Sequence, residues 1–177
     1  MKRVIRYVIF TGPSQSGKSL TASLLVSEFR SRGLTAMRDS FEMPMKHYLG
    51  MLLSRKSASI PMDEPISALL SKTPRDFINR EAMHMRFSYG PGVLGKLLAA
   101  RAHRWARSPQ FIVVDDGTSI LDCRELGGFF LVHVNRDRVE RVYPFSIPNP
   151  DATITNDGDI LRLRLHVIKI ADKVIHG

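Results

Sequence analysis

The most constraining feature of this chain lies near its start, where Gly12-Pro-Ser-Gln-Ser-Gly17-Lys18-Ser19 satisfies G-x-x-x-x-G-K-[ST] at every fixed position. Before it, Val4 to Phe10 is rich in β-branched and aromatic residues. After it, Ser19 to Arg32 places Leu20, Leu24, Leu25 and Phe29 at helical spacing. Strand, glycine-bounded loop and helix in that order is the context in which the motif has physical meaning. The glycines let backbone N–H groups turn inward around phosphate oxygens, and the helix presents its positive N-terminus to the same oxygens. Gly12, Pro13, Ser14, Gln15, Ser16, Gly17, Lys18, Ser19 and Leu20 are therefore the expected ATP cradle. Lys18 is expected to reach the β and γ phosphates as a catalytic residue, and the Ser19 hydroxyl to hold Mg²⁺.

The rest of the chain alternates in the same way. Gly33 suits a helix C-cap, and Leu34 to Ser40 reads as a second strand. Residues 43–106 read mostly as helix, interrupted by Pro61, Pro65 and the Tyr89-Gly-Pro-Gly92 turn, with no clear strand. Phe111 to Asp115 and Phe129 to Val134 are short apolar runs of the kind buried on both faces of a parallel sheet. Ala152 to Thr155 reads as a last strand, and Asp159 to Val174 as a terminal helix carrying Ile160, Leu163, Val167, Ile168 and Ala171. The pattern predicts one α/β domain over residues 1–177: a three-layer P-loop NTPase fold with about five parallel strands and a helical insertion over one end.

Such a phosphate site needs a carboxylate at the end of a buried strand to serve the metal, and Phe111-Ile-Val-Val-Asp115-Asp116 supplies two. Neighbouring strand residues face opposite ways, so sequence leaves open which of Asp115 and Asp116 does so. Either acid could instead cap the helix predicted near Ser119.

Composition narrows the partners. Of 177 residues, 26 are Lys or Arg and 17 are Asp or Glu, a net +9 that favours a polyanion. One cysteine, Cys123, excludes an internal disulfide and a Cys-based zinc site, and fits a reducing, cytoplasmic setting. No apolar run approaches the roughly 18 residues of a membrane span, so no membrane partner is expected. The histidines show no ligand spacing.

Beyond the loop, Ser40-Phe-Glu-Met-Pro44-Met-Lys46, Lys72-Thr-Pro-Arg75-Asp-Phe-Ile-Asn79, Tyr89-Gly-Pro91, Val113-Val-Asp-Asp116 and Asp151-Ala-Thr-Ile-Thr-Asn156-Asp-Gly158 occur in an order that resembles the phage deoxynucleoside monophosphate kinases and, more distantly, the dephospho-coenzyme A kinases. The resemblance spans most of the chain. It implies an ATP-dependent phosphotransferase in which the segment from Phe41 to Lys46 and the helix from Pro74 to Arg86 enclose the acceptor nucleotide. Lys46, Arg75 and Arg86 would then contact its anionic groups.

The chain departs from that family where the acceptor is handled. Asp116 is followed by Gly117-Thr-Ser119 with no arginine before Arg124, and the lid region, about 136–150, is short. Asp39 and Glu42 add carboxylates near the expected acceptor, which suit an alcohol that must lose a proton. Asp39, at the carboxyl end of the second strand, is the candidate base, with Glu42 in reserve. With the +9 charge, these departures favour a relative that phosphorylates a hydroxyl carried on DNA, similar to the kinases of thymine-hypermodifying phages that act on 5-hydroxymethyluracil. A kinase making dNDP from free dNMP is the alternative, and a DNA-stimulated ATPase is a third reading.

Arg136, Arg138 and Arg141 follow the fourth strand, where a lid supplies arginines to the transferring group; Arg136 is the catalytic candidate. Arg101, Arg104 and Arg107, with His103 and Trp105, form either a DNA strip or a solvated helix face. The methionines (Met37, Met43, Met45, Met51, Met83, Met85) are expected as core filler around the acceptor pocket.

Overall fold

A computed structural model describes residues 5–69, 71–104, 109–136 and 149–177. Its elements run β1 (Arg6–Thr11), α1 (Lys18–Ser31), β2 (Ala36–Asp39), α2 (Met43–Leu52), α3 (Pro74–Tyr89), α4 (Val93–Arg104), β3 (Phe111–Val114), α5 (Ile120–Arg124), β4 (Phe129–Asn135), β5 (Ala152–Thr155) and α6 (Ile160–His176). The five strands are parallel in the order β2-β3-β1-β4-β5. β1 is central, and the chain leaves it toward β2 on one side and later returns to β4 on the other. Ligands of open α/β sheets bind at the carboxyl end of such a reversal.

Both faces of the sheet are covered, as the continuous apolar strands require. Val8, Phe10, Phe111, Val113, Val132 and Val134 face α1 and α6, while Tyr7, Ile9, Ile112, Val114 and Leu131 face the helices inserted between β2 and β3. This is the two-residue alternation of a strand written on both surfaces. On the first face Phe29 of α1 stacks on Phe111 with ring centroids 4.3 Å apart. Arg32 bridges Glu28 and Asp172, tying α1 to α6 at the rim.

The insertion consists of α2, α3 and α4 with two short 3₁₀ turns, Ser57–Ser59 and Ser67–Leu69. Pro74 starts α3 at its first turn, where the missing N–H costs nothing, and Thr73 and Asp76 close a reciprocal capping box. Ser119 caps α5 by accepting from the Asp122 N–H, so neither Asp115 nor Asp116 is its cap. The methionines divide: Met45 is buried, but Met51 and Met83 are 72% and 69% exposed, so these two are not core filler. Trp105, Arg107, Arg138, Arg141 and most of the expected lid lie outside the described residues. Among the described residues no helix is long and apolar enough to cross a membrane.

Candidate nucleotide and acceptor site

The loop between β1 and α1 takes a path open only to glycine at two points. Gly12 has φ 134°, and a Cβ there would lie 2.1 Å from the Val134 carbonyl oxygen of the adjacent strand. Gly17 has φ 98°, and a Cβ there would lie 2.3 Å from Asn156 Nδ2. Between them Gln15 adopts φ 61°, a left-handed conformation rare for a residue with a side chain. Ser14 and Gln15 form the exposed crest, Pro13 and Ser16 are buried, and Leu20 is 48% exposed at the start of α1. The Ser16 hydroxyl is buried with no hydrogen-bond partner among the described residues. A backbone cradle at a helix N-terminus with an unclaimed buried hydroxyl has the donor set a phosphate needs.

Lys18 folds over this loop, its Nζ donating to the carbonyls of Gly12 at 2.9 Å and Pro13 at 2.5 Å. Its pKa lies below the ordinary lysine value, chiefly because of burial; Asp115 pulls the other way and the positive charge of Arg75 adds to the depression. The Ser19 hydroxyl donates to Asp115 Oδ2 at 2.7 Å, joining the loop to the end of β3. Arg38 of β2 reaches the same oxygen at 2.5 Å. A hydroxyl and one carboxylate are hard oxygen donors, and no group of three or more Asp, Glu, His or Cys residues among the described residues is arranged to hold a metal ion by itself. That set fits Mg²⁺, which binds through one or two protein oxygens and takes the rest from phosphate and water.

The two neighbouring aspartates are thereby distinguished. Asp115 faces the loop serine. Asp116 faces the start of the insertion, where it accepts from Ser40 Oγ at 2.5 Å and from the N–H groups of Phe41 at 2.9 Å and Glu42 at 3.0 Å. Through these bonds Asp116, expected beside Asp115 as a metal residue, clamps the segment that joins β2 to α2. Burial, followed by repulsion from Glu42, lifts its pKa to about 6.

A cleft of about 280 Å³ opens beside Asp115, lined by Arg38, Asp39, Ser40, Met43, Lys46 and Ala58. Lys46 approaches Ser40 Oγ at 3.1 Å, Glu42 at 3.3 Å and Asp116 at 4.0 Å. Burial opposes its charge most strongly, but Asp116, Glu42 and Asp115 together outweigh burial and raise its pKa.

Other expected acceptor residues sit differently. Asp39 is 4% exposed and is gripped by Arg101 of α4 through two bonds of 3.2 Å. It is not the free base that its strand-end position suggested, and Arg101 is not available to a DNA strip. Phe41 is 1% exposed and anchors the segment in the core. Arg86 donates twice to Asp122, at 2.9 and 2.7 Å, because a carboxylate with no exposure must be paired; it does not face the acceptor. Arg75 pairs with Asp63, yet its charge is felt at both Lys18 and Glu42. Arg136 Nη1 lies 3.4 Å from the Gln15 carbonyl, beside the loop. Cys123 is buried, its thiol pushed up to about 12, chiefly by burial.

Arg38 and Asn156 were not singled out from sequence as site residues, and Arg101 was considered only for a DNA strip. Arg38 read only as a charge weakening a strand, and Asn156 as part of a turn. The arginine at the end of β2 was the available signal, since strand ends at a sheet reversal face the ligand.

The architecture is thus that of a P-loop α/β domain with its glycine-rich loop, the Ser19–Asp115 pair and the cleft on one edge. Among solved structures, a variant of the Mycobacterium tuberculosis APS kinase CysC is similar at 20% identity with a TM-score of 0.51, over 96% of this chain and 98% of that one. The protein APE1195 is similar at 11% identity with a TM-score of 0.53, over 99% and 97%. At these identities the likeness is one of fold alone. No family model and no curated protein matches the sequence.

Proposed function

We propose that this chain is an ATP-dependent P-loop kinase that phosphorylates a hydroxyl on a deoxynucleotide, specifically 5-hydroxymethyluracil within phage DNA. The observation that carries the reading is Asp115: it accepts the Ser19 hydroxyl on one side and lines the acceptor cleft on the other. Donor and acceptor spaces therefore meet at one carboxylate. Ser19 and Asp115 would hold Mg²⁺, which neutralises phosphate charge. Lys18 would move from the loop carbonyls to the β and γ phosphates. As the acceptor oxygen bonds to the γ-phosphorus, the bond to ADP breaks and the hydroxyl proton passes to a carboxylate or water.

The charge of the cleft supports a hydroxyl acceptor. Arg38, Lys46 and Arg101 are matched there by Asp115, Glu42, Asp116 and Asp39, so an incoming phosphate would meet little uncompensated positive charge. The whole chain nonetheless carries +9, an excess that would serve flanking DNA phosphates. Within this reading Asp39, held by Arg101, orients the hydroxyl. The second reading, a kinase making dNDP from dNMP, draws on Lys46 in the cleft and on the field of Arg75 at Lys18.

The test is labelled ATP offered with four dNMPs, plain DNA and 5-hydroxymethyluracil DNA. Label in the modified DNA alone is expected. Label in dNDP establishes the second reading instead, and hydrolysis without a labelled acceptor removes both.

A further inference from the structure

The crest of the phosphate loop is held from outside by the ends of β4 and β5. Asn156, just beyond β5, donates from Nδ2 to the Ser16 carbonyl at 2.8 Å, while its own N–H bonds the Asn135 carbonyl at 2.8 Å. Arg136, next along β4's exit, lies 3.4 Å from the preceding carbonyl, that of Gln15. Two consecutive carbonyls of the loop are therefore met by donors from beyond β4 and β5, and a hydrogen bond links the two segments that supply them. Turning carbonyls outward is what leaves the same stretch's N–H groups free to converge on an anion. The crest also contains Gln15 at φ 61°, a conformation that a non-glycine residue holds only when its surroundings fix it. Gly17 completes the fit: the Asn156 amide packs where a Cβ would be, so glycine there admits the contact as well as the backbone angle.

We infer that Asn156 is a positioning residue for the triphosphate, an outer brace that keeps Gln15 left-handed and the loop's N–H groups convergent. The inference rests on the reading of residues 12–19 as the ATP cradle, but not on the identity of the acceptor. It separates Asn156 from a residue that merely stabilises the fold, because its effect should fall on nucleotide affinity and should depend on the conformational cost at residue 15.

The experiment measures ATP binding calorimetrically in the full chain, beside kcat and the KM of each substrate, for Asn156→Ala, Gln15→Gly and the double variant. Losing the bond is expected to weaken ATP binding about tenfold, with kcat at saturating ATP and the acceptor KM unchanged. Gln15→Gly should restore most of that loss, since glycine adopts positive φ without a brace. Asn156→Asp, which cannot donate and adds negative charge near the phosphates, should be worse than Asn156→Ala. Unchanged ATP affinity in Asn156→Ala overturns the proposal, as does a double variant no better than Asn156→Ala. Equal losses in ATP and acceptor affinity together with a fall in melting temperature also overturn it, by showing a structural role only. If the wild type binds ATP but labels no acceptor, the kinase reading fails while the binding comparison still decides the brace.

Discussion

Asp115, 6% exposed, accepts on a single oxygen both the loop serine and a strand arginine, which concentrates the chemistry of the edge at one atom. The Lys18 ammonium, among the described residues, hydrogen-bonds two carbonyls of its own loop, so removing it should disturb phosphate binding far more than the core. Lys18→Ala is expected to lower phosphoryl transfer by roughly 10²-fold or more with an unchanged melting temperature; turnover near wild type would refute its assigned role. Gly12→Ala should behave differently. A Cβ 2.1 Å from the Val134 carbonyl forces β1 and β4 apart, so calorimetry should show lost ATP binding and thermal denaturation a lower melting temperature. Retained binding in a variant as stable as wild type would contradict that geometry. Sequence spacing made Lys18 and Ser19 legible because their roles depend on local chain order. The pairing of Asp39 with Arg101 was not legible, since the two are brought together only by packing the insertion on the sheet.

Among the elements, the segment joining β2 to α2 is the most closely tied to the site. Asp116 holds three donors from residues 40–42, and Arg101 adds a bond of 2.8 Å to the Ser40 carbonyl. An amide cannot replace Asp116, because one of its heavy atoms is a donor facing donors. Asp116→Asn should therefore raise the acceptor KM while ATP affinity holds. The pH dependence follows from the folded pKa of about 6, raised above the ordinary carboxylate value of 3.8. Between those values the folded chain binds more protons than the unfolded chain, so this group's contribution to stability is full below about pH 4 and is lost as pH rises through about 6. Denaturation across that range should show wild type losing stability with rising pH relative to Asp116→Asn. A flat difference would remove the assigned burial effect. Strands β1, β3 and β4 were legible from their apolar runs. The reach of Asp116 to Phe41 was not, since sequence shows only that adjacent residues diverge and not which element each meets.

At the scale of the molecule, the chain carries a net +9 while the cations of the cleft are matched by carboxylates. On the proposed function, the reacting group would be a neutral hydroxyl and the polymer carrying it would meet the excess positive charge. Activity on duplex 5-hydroxymethyluracil DNA should fall roughly 40- to 150-fold between about 50 and 200 mM salt if three or four backbone phosphates are neutralised. Activity on the free nucleoside should barely change, and equal salt sensitivity would argue against a polymer surface. The central claim is that the loop and the cleft form one phosphotransfer site rather than an ATPase beside a DNA-binding surface. It is tested most directly by counting ADP formed against phosphate fixed in product, with and without 5-hydroxymethyluracil DNA. The account predicts close to one phosphate fixed per ADP when acceptor is present, and negligible ADP when it is absent; ADP appearing at the same rate without acceptor, with all phosphate released free, would contradict it.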